Sequence, residues 1–356
     1  MNSDRNFDTL KKMPGENTIK MGEERPAPAP PKLPEIDYPV PPRENMKLVL
    51  EHKKPFWVPN LMVDNNICLA APADRERPPV PQSGKDWFGA YWEFVDMVGG
   101  QMSPPENRIC PDPRDWREKL IFPDLDSIDF SEGREEMALR FAPEKMTMYI
   151  IQNGMFERLL DISDVNEVFI WLAEEPDDAI EYANAMADFK IKHVNKVIDE
   201  WRLVDFFALS DDWGTQRAPF ISPKMWEQIF YEPTKRIADH IKSRGYYVNV
   251  HSCGKIDELV PFIASFADLW EGQPMNDHVA LKRKVGGQLA FTIGLDPEIT
   301  RDPDAPDDLV ISAVHDAIDT YGEGGGMVMM SMGGSERVSS LIVTETFEYS
   351  RKKYAQ

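Results

Sequence analysis

The strongest constraint on the fold is a series of seven short apolar runs separated by stretches with helical signals. Most of the runs are continuously apolar, which is typical of parallel strands covered on both faces. Seven or eight strand and helix units that close on themselves form an α/β fold of the (β/α)8 TIM barrel type, and a doubly wound sheet is the alternative. In both, chemistry lies at the carboxyl ends of the strands. The runs are PFWVPNLM, MTMYIIQNG, VDFFALSDDWG, YYVNVHSCG, ADLWEGQ, LAFTIGLDP and GMVMMSMGG.

One intervening stretch shows the helical signals clearly. Ser222 and Pro223 predict an N-cap and a first-turn proline, and Gly245 predicts the helix end. Apolar residues recur between them at helical spacing, so one face of this helix is expected to cover the sheet. Pro233 is expected to kink or divide the helix, because proline lacks the backbone N–H and clashes with the preceding turn.

Composition divides the 356 residues into regions. Residues 1–45 end in PAPAPPKLPEIDYPVPPREN, whose proline density predicts an extended N-terminal arm on the surface or on a neighbouring subunit. A homodimer is therefore one expected assembly. Residues 46–356 are predicted to form a single barrel domain, and residues 70–130 are an insertion, rich in proline and aromatic residues, that is expected to act as a lid.

Charge and cysteine content limit the partners and the compartment. A formal net charge of −21 and a pI of about 4.7 provide no basic field for nucleic acid or an anionic membrane surface. The sequence has three cysteines, no apolar stretch that would span a bilayer and no signal-type N-terminus. These features predict a cytoplasmic protein in a reducing compartment.

The run YYVNVHSCG ends in His251 and Cys253, which are one of six histidines and one of three cysteines. Residues two apart on a strand point to the same side, so both side chains are expected to face the barrel mouth. The next run ends in Glu271, and adjacent parallel strands lie about 4.8 Å apart, which brings this carboxylate to the same point. Imidazole, thiolate and carboxylate are zinc ligands, and three of them leave a fourth position open for catalysis. The alternative is that His251 caps the strand and Cys253 is a small buried apolar residue.

Several segments resemble a known family. The segment SDDWGTQRAPFISPKMWEQIFYEPTKRIADHIKSRGYYVNVHSCGKIDELVPFI resembles the uroporphyrinogen decarboxylase superfamily, in its branch of corrinoid-dependent methyltransferases. RENMKLVLEHKKPFWVP, NGMFERLL and GGGMVMMSMGGSERV are similar in the same order, so the resemblance spans residues 43–354. It implies a barrel and a zinc ion held by the His-x-Cys pair.

Departures from the family narrow the implied activity. NLMVDNNIC replaces the arginine-rich opening of the decarboxylase, and the last strand, MVMMSMGGS, lacks the cysteine used by thiol-methylating members. The remaining relatives are aryl methyl ether O-demethylases, whose zinc-dependent methyltransferase passes the methyl group of a methoxylated aromatic compound to cob(I)alamin on a separate corrinoid protein. The alternatives are methyl transfer from methylcobalamin to tetrahydrofolate or a thiol, and a uroporphyrinogen decarboxylase-like reaction.

Two adjacent carboxylates follow the strand VDFFALS. Asp211 and Asp212 are candidate catalytic groups that orient His251, fix a substrate hydroxyl or donate a proton to a departing phenolate. The alternative is that a carboxylate at this position caps the turn before Trp213.

Candidate substrate contacts come from two further stretches. Asn153 and Glu157 lie in QNGMFERLL, at the end of another predicted strand, and Glu157 is expected to pair with Arg158 or Arg217 as part of the scaffold. The stretch DWFGAYWEF predicts an aromatic substrate wall, because pockets for apolar ligands are commonly aromatic, and core packing is the alternative. The predicted contacts are Trp87, Phe88, Tyr91, Trp92 and Asn153.

Overall fold

The fold is dominated by one curled sheet of seven parallel strands. The structure is a computed structural model, and it describes residues 12–13, 32–95, 97 and 100–355. The strands follow chain order across the sheet. Asn60, just before the first strand, forms a parallel bridge with Met329 of the last strand. The sheet therefore curls as in a TIM barrel, and the predicted fold class is confirmed. The strands are β1 (Asn65–Cys68), β2 (Met146–Ile151), β3 (Phe206–Ser210), β4 (Tyr247–Ser252), β5 (Leu269–Gly272), β6 (Ala290–Ile293) and β7 (Met327–Met329).

Helices alternate with these strands. The longer ones are α1 (Pro42–Leu50), α2 (Met155–Ile162), α3 (Val165–Glu174), α4 (Pro176–Lys196), α5 (Glu232–Ser243), α6 (His278–Val285), α7 (Asp307–Tyr321) and α8 (Glu336–Tyr354). Shorter helical segments are Pro105–Asn107, Pro113–Asp115, Trp116–Lys119, Leu125–Ser127, Arg134–Arg140, Val197–Trp201, Pro223–Trp226, Glu227–Tyr231, Val260–Ile263, Gly286–Gln288 and Pro297–Thr300. Among the described helices, none has both the length and the apolar character that crossing a membrane requires.

Both faces of the sheet are packed with apolar side chains. On β3, Phe206 and Ala208 belong to an inner cluster with Leu269, while Phe207 and Leu209 belong to the larger cluster that also contains residues of the surrounding helices. Successive strand residues point to opposite faces, so a continuously apolar strand fills the barrel interior and also binds the helices.

The start of the folded region differs from the prediction in two ways. Helix α1 begins at Pro42, so the boundary predicted between residues 45 and 46 falls inside this helix, whose first turn tolerates proline. The run PFWVPNLM contributes only the bridge at Asn60, and strand β1 follows in Asn65–Cys68. Pro55 and Pro59 lack the N–H groups that a ladder requires. Residues 1–11 and 14–31 of the predicted arm lie outside the described residues.

The predicted helix after β3 is confirmed, including its division. The Ser222 hydroxyl accepts a hydrogen bond from the backbone N–H of Met225 at 3.2 Å. A π-helical segment, Glu227–Tyr231, separates the first turn from α5, and it ends two residues before Pro233. The wider turn accommodates the proline ring, which has no N–H for the preceding carbonyl.

Buried ion pairs attach the insertion between β1 and β2 to the barrel. The insertion contains an antiparallel sheet of Gly84–Lys85, Tyr91–Val95 and Gly100–Met102, and Phe122–Pro123 pairs in parallel with Lys12–Met13. Asp86 accepts a hydrogen bond from Arg158 of α2, and both side chains are fully buried.

Removal of Asp86 is expected to destabilise the protein strongly. Asp86→Ala leaves the Arg158 charge buried without its partner, which costs about 3–5 kcal/mol of the free energy of unfolding. Glu136→Ala is the matched control, because its pair with Arg140 is exposed and contributes little. Urea unfolding followed by circular dichroism measures both, and equal midpoints for the two variants would contradict the prediction.

Candidate functional site

Three possible metal ligands meet at the carboxyl ends of β3 and β4. The ligand atoms of Asp212, His251 and Cys253 all lie within 4.8 Å of one another, and each side chain is partly exposed. His251 Nε2 lies 3.5 Å from Cys253 Sγ and 3.8 Å from Asp212 Oδ1. The predicted convergence of His251 and Cys253 is therefore present in the structure.

The backbone at this edge holds the three residues in place. The carboxylate of Asp212 accepts a hydrogen bond from the backbone N–H of Cys253 at 2.8 Å. The loops after β3 and β4 also meet at Gly214 and Gly254, where a Cβ on Gly254 would lie 2.2 Å from the Gly214 backbone. Gly254 also has a φ of +85°, which glycine adopts easily. Glycine is therefore required here both for this backbone conformation and for the close contact with Gly214.

Glu271 lies beside His251 but on the other side of the ring. The register pairs Glu271 of β5 with His251 of β4, and Glu271 Oε1 is 3.1 Å from His251 Nδ1. Its second oxygen accepts a hydrogen bond from the buried Asn249 amide at 3.1 Å. The sequence predicts Glu271 as the third metal ligand. In the structure, the carboxylate that lies with His251 and Cys253 is that of Asp212. Glu271 reaches the ring nitrogen opposite the one that faces Cys253 and Asp212.

The electrostatics favour a charged imidazole when no metal is bound. Burial opposes protonation of His251, but hydrogen bonds to Cys253 and Glu271, together with their negative charge, hold its pKa well above its usual value. Burial alone would raise the pKa of Glu271, but the hydrogen bond and charge of His251 keep it below its usual value. A divalent cation that replaces the proton on His251 Nε2 would therefore lie near the carboxylates of Asp212 and Glu271.

The spacing of His251 Nε2 and Cys253 Sγ fits a tetrahedral zinc ion. Bonds of about 2.0 Å to nitrogen and about 2.3 Å to sulfur at a tetrahedral angle place these two atoms about 3.5 Å apart. The distance from His251 Nε2 to Cys253 Sγ is 3.5 Å. A nitrogen, a sulfur and an oxygen donor form a set typical of zinc rather than of magnesium or calcium, which prefer oxygen.

The neighbouring Asp211 has a structural position. It is buried, and its carboxylate accepts hydrogen bonds from the backbone N–H groups of Phe156 at 3.1 Å and Glu157 at 2.7 Å, in the first turn of α2. A Cβ on Gly154 would lie 2.1 Å from the Asp211 side chain, so glycine makes room for this cap. Burial raises the pKa of Asp211 to about 7. Of the two predicted roles for Asp211, catalytic group or cap, the structure shows a cap. Asp211 caps the first turn of α2, however, and not the turn before Trp213.

Most of the predicted aromatic wall is buried in the insertion. Trp87, Phe88 and Trp92 are 6%, 3% and 1% exposed, and Tyr91 is half-buried. Trp87 and Phe88 pack against Phe189 of α4 with ring centroids 5.7 and 5.1 Å apart. The prediction of a substrate wall is wrong for these three rings, because an insertion this large needs its own apolar core.

Asn153 and Glu157 take part in a network that the sequence did not indicate. Asn153 is fully buried, and its amide donates to Asp161 at 2.6 Å. Arg77 of the insertion donates hydrogen bonds to both Asn153 and Glu157, so the partner of Glu157 is Arg77 in place of the predicted Arg158 or Arg217. No local pattern around Arg77 gives this pairing, because 76 residues separate it from Asn153.

A second group of possible ligands is enclosed in the protein. Asp74, Glu76 and His193 are all buried, and their ligand atoms lie within 4.8 Å of one another. Asp74 accepts a hydrogen bond from Tyr149 and lies 2.8 Å from His193 Nε2, while Glu76 pairs with the ammonium of Lys190. This arrangement compensates buried charges and ties the insertion to α4.

Comparisons with known proteins assign the family. The family profile described as uroporphyrinogen decarboxylase (URO-D) matches residues 142–332, more than half of the chain. The protein therefore belongs to the uroporphyrinogen decarboxylase family. Among solved structures, a methyltransferase from Methanosarcina mazei superposes with a TM-score of 0.66 over 89% of this chain and 100% of its own, at 13% sequence identity. No curated protein sequence matches significantly.

We expect Asp211 and Asp212 to differ in their effect on stability. Asp211→Ala removes the cap from two N–H groups in the first turn of α2 and is expected to lower the free energy of unfolding by about 2 kcal/mol. Asp212→Ala is the matched control, because Asp212 is partly exposed and accepts a single backbone hydrogen bond. Thermal melts of the metal-free proteins compare them, and equal losses would contradict the assignment of Asp211 as the cap.

Proposed function

We propose that the site binds Zn²⁺ through His251, Cys253 and Asp212, with a fourth position open to substrate. The single observation that carries this proposal is the convergence of imidazole, thiol and carboxylate, with His251 Nε2 and Cys253 Sγ at the spacing of a tetrahedral ion. Glu271 would hold His251 through Nδ1, as carboxylates commonly do for histidine ligands. Zn²⁺ held there supplies a Lewis acid next to the open position.

We further propose that the protein is a methyltransferase that removes the methyl group of a methoxylated aromatic compound. The acceptor would be cob(I)alamin on a separate corrinoid protein, to which the methyl group would pass, and the electron pair of the broken C–O bond would stay on the departing phenolate. A phenol has a pKa of about 10, so its oxygen needs stabilisation as it leaves. Support comes from the sequence resemblance to corrinoid-dependent methyltransferases and from the M. mazei methyltransferase, which shares the fold.

The residues around the site would have separate tasks in this reaction. Partial exposure of His251 and Asp212, at 27% and 34% of their side chains, leaves the site open to both a substrate and a large acceptor. Glu157 lies near Asp212, and its pKa is raised first by burial and further by the Asp212 charge, while Arg77 opposes the rise.

Cys253→Ala is expected to lose both zinc and demethylation. Removal of the thiolate leaves two protein ligands, and zinc bound per chain should fall from about one to near zero. Cys110→Ala is the matched control, because this buried cysteine donates to the carbonyl of Asp112 within the insertion. Plasma emission spectrometry measures the metal, and mass spectrometry of a reaction with a Co(I) corrinoid and methoxybenzenes measures demethylation. A metal-free sample with full activity would reject the proposal.

Glu271→Gln and Asp212→Ala distinguish the third ligand from the group that orients His251. If Glu271 acts through His251, Glu271→Gln keeps one zinc per chain and weakens its binding about 10- to 100-fold. Asp212→Ala is then expected to weaken binding more, because it removes a ligand. Competition with a zinc chelator measures both affinities. The reverse order of the two variants would make Glu271 the third ligand.

The two alternative reactions predict different results. A decarboxylase of porphyrinogen side chains would keep its activity when a chelator removes the metal. A transfer from methylcobalamin to tetrahydrofolate would use the same zinc site but would release no phenol from methoxybenzenes. A thiol acceptor is less favoured, because Cys68 and Cys110 are buried and the β7 stretch contains no cysteine.

A further inference from the structure

Arg77 is a fixed cation in an acidic protein, placed next to the candidate site. Its Nε donates to Asn153 and its Nη2 donates to Glu157. The guanidinium carbon lies 4.4 Å above the centroid of the Trp92 ring. Two hydrogen bonds on one edge and a ring beneath leave this side chain little freedom to rotate.

The residues that hold Arg77 are themselves fixed. Asn153 has a φ of +48° and is held by its 2.6 Å bond to Asp161. The Trp92 indole donates to Asp86 at 2.9 Å, and Asp86 also binds Arg158. The guanidinium is therefore supported by buried groups from both the insertion and the barrel.

One edge of the Arg77 guanidinium is left for a ligand. Among the described residues, its Nη1 group has no hydrogen-bond partner, and 20% of the side chain is exposed. The edge formed by Nη1 and the second N–H of Nη2 has the fork geometry that binds a carboxylate through two parallel hydrogen bonds. Glu157 occupies only the opposite edge, together with Asn153.

The position of Arg77 relates it to the proposed zinc site. Its partner Glu157 donates its backbone N–H to Asp211 at 2.7 Å, and the next residue is Asp212. Arg77 thus flanks the carboxyl ends of β2 and β3, at the same end of the barrel as His251 and Cys253.

We infer that Arg77 binds the carboxylate of an aromatic acid, so that the methoxylated substrate is a methoxybenzoate or a related aromatic acid. This inference rests on the proposed function for the reaction, but the binding itself does not depend on methyl transfer. The ring would bridge the open position of the site and the free edge of Arg77. In a protein of net charge −21, a fixed cation favours the binding of an anionic substrate.

The test compares two ligands of nearly the same shape, methoxybenzoate and methoxybenzamide, in their 3- and 4-methoxy forms. Isothermal titration calorimetry on the full chain, without corrinoid, is expected to show tighter binding of at least one benzoate than of its amide. Arg77→Gln should weaken benzoate binding about 10- to 100-fold and amide binding less than about 3-fold. Arg77→Lys keeps the charge without the fork and should recover part of the preference.

Arg217→Gln is the matched control, because Arg217 is an exposed arginine in the loop after β3 and its loss changes net charge equally. It should leave the preference for benzoate unchanged. The inference is overturned if the wild type binds no benzoate or shows no preference, if Arg77→Gln changes neither ligand, or if it weakens both equally, as a purely structural Arg77 would. A preference that persists without any demethylation would count against the proposed reaction alone.

Discussion

The candidate site depends on the hydrogen-bonded register of three neighbouring parallel strands. Ser210, His251 and Glu271 are direct partners across β3, β4 and β5, so their side chains cannot shift relative to one another without breaking the sheet. The backbone N–H of Asp211 donates to the carbonyl of His251 at 3.1 Å and extends this ladder into the loop. Groups from separate parts of the sequence are thereby held at one point before any ligand binds, as a preorganised site requires.

Two adjacent aspartates show how closely scaffold and chemistry are combined at this edge. Asp211 is buried beneath α2 and caps its first turn, while Asp212 is partly exposed and turns to His251 and Cys253. Successive residues of an extended chain point to opposite sides, so one dipeptide supplies both a helix cap and a site carboxylate. The loop that carries Asp212 is therefore anchored one residue away, where the Asp211 carboxylate accepts two hydrogen bonds from the backbone of α2.

The insertion uses buried polar pairs to attach to an apolar barrel. Asp86 with Arg158, Glu76 with Lys190 and Asp74 with His193 are buried pairs that join it to α2 and α4. Such pairs add little net stability compared with apolar contacts, but each is costly to break on one side alone. They fix the insertion in one arrangement, which places Arg77 beside Glu157 at the carboxyl ends of the strands.

The sequence by itself determined the alternation of parallel strands and helices, the division of the helix before Pro233 and the meeting of His251 with Cys253, because these follow from local periodicity, proline chemistry and the two-residue repeat of a strand. Only the tertiary structure decided the rest. The side of the His251 ring that Glu271 faces depends on side-chain packing between strands. Whether a tryptophan such as Trp92 faces a pocket or a core depends on distant partners that no local pattern contains.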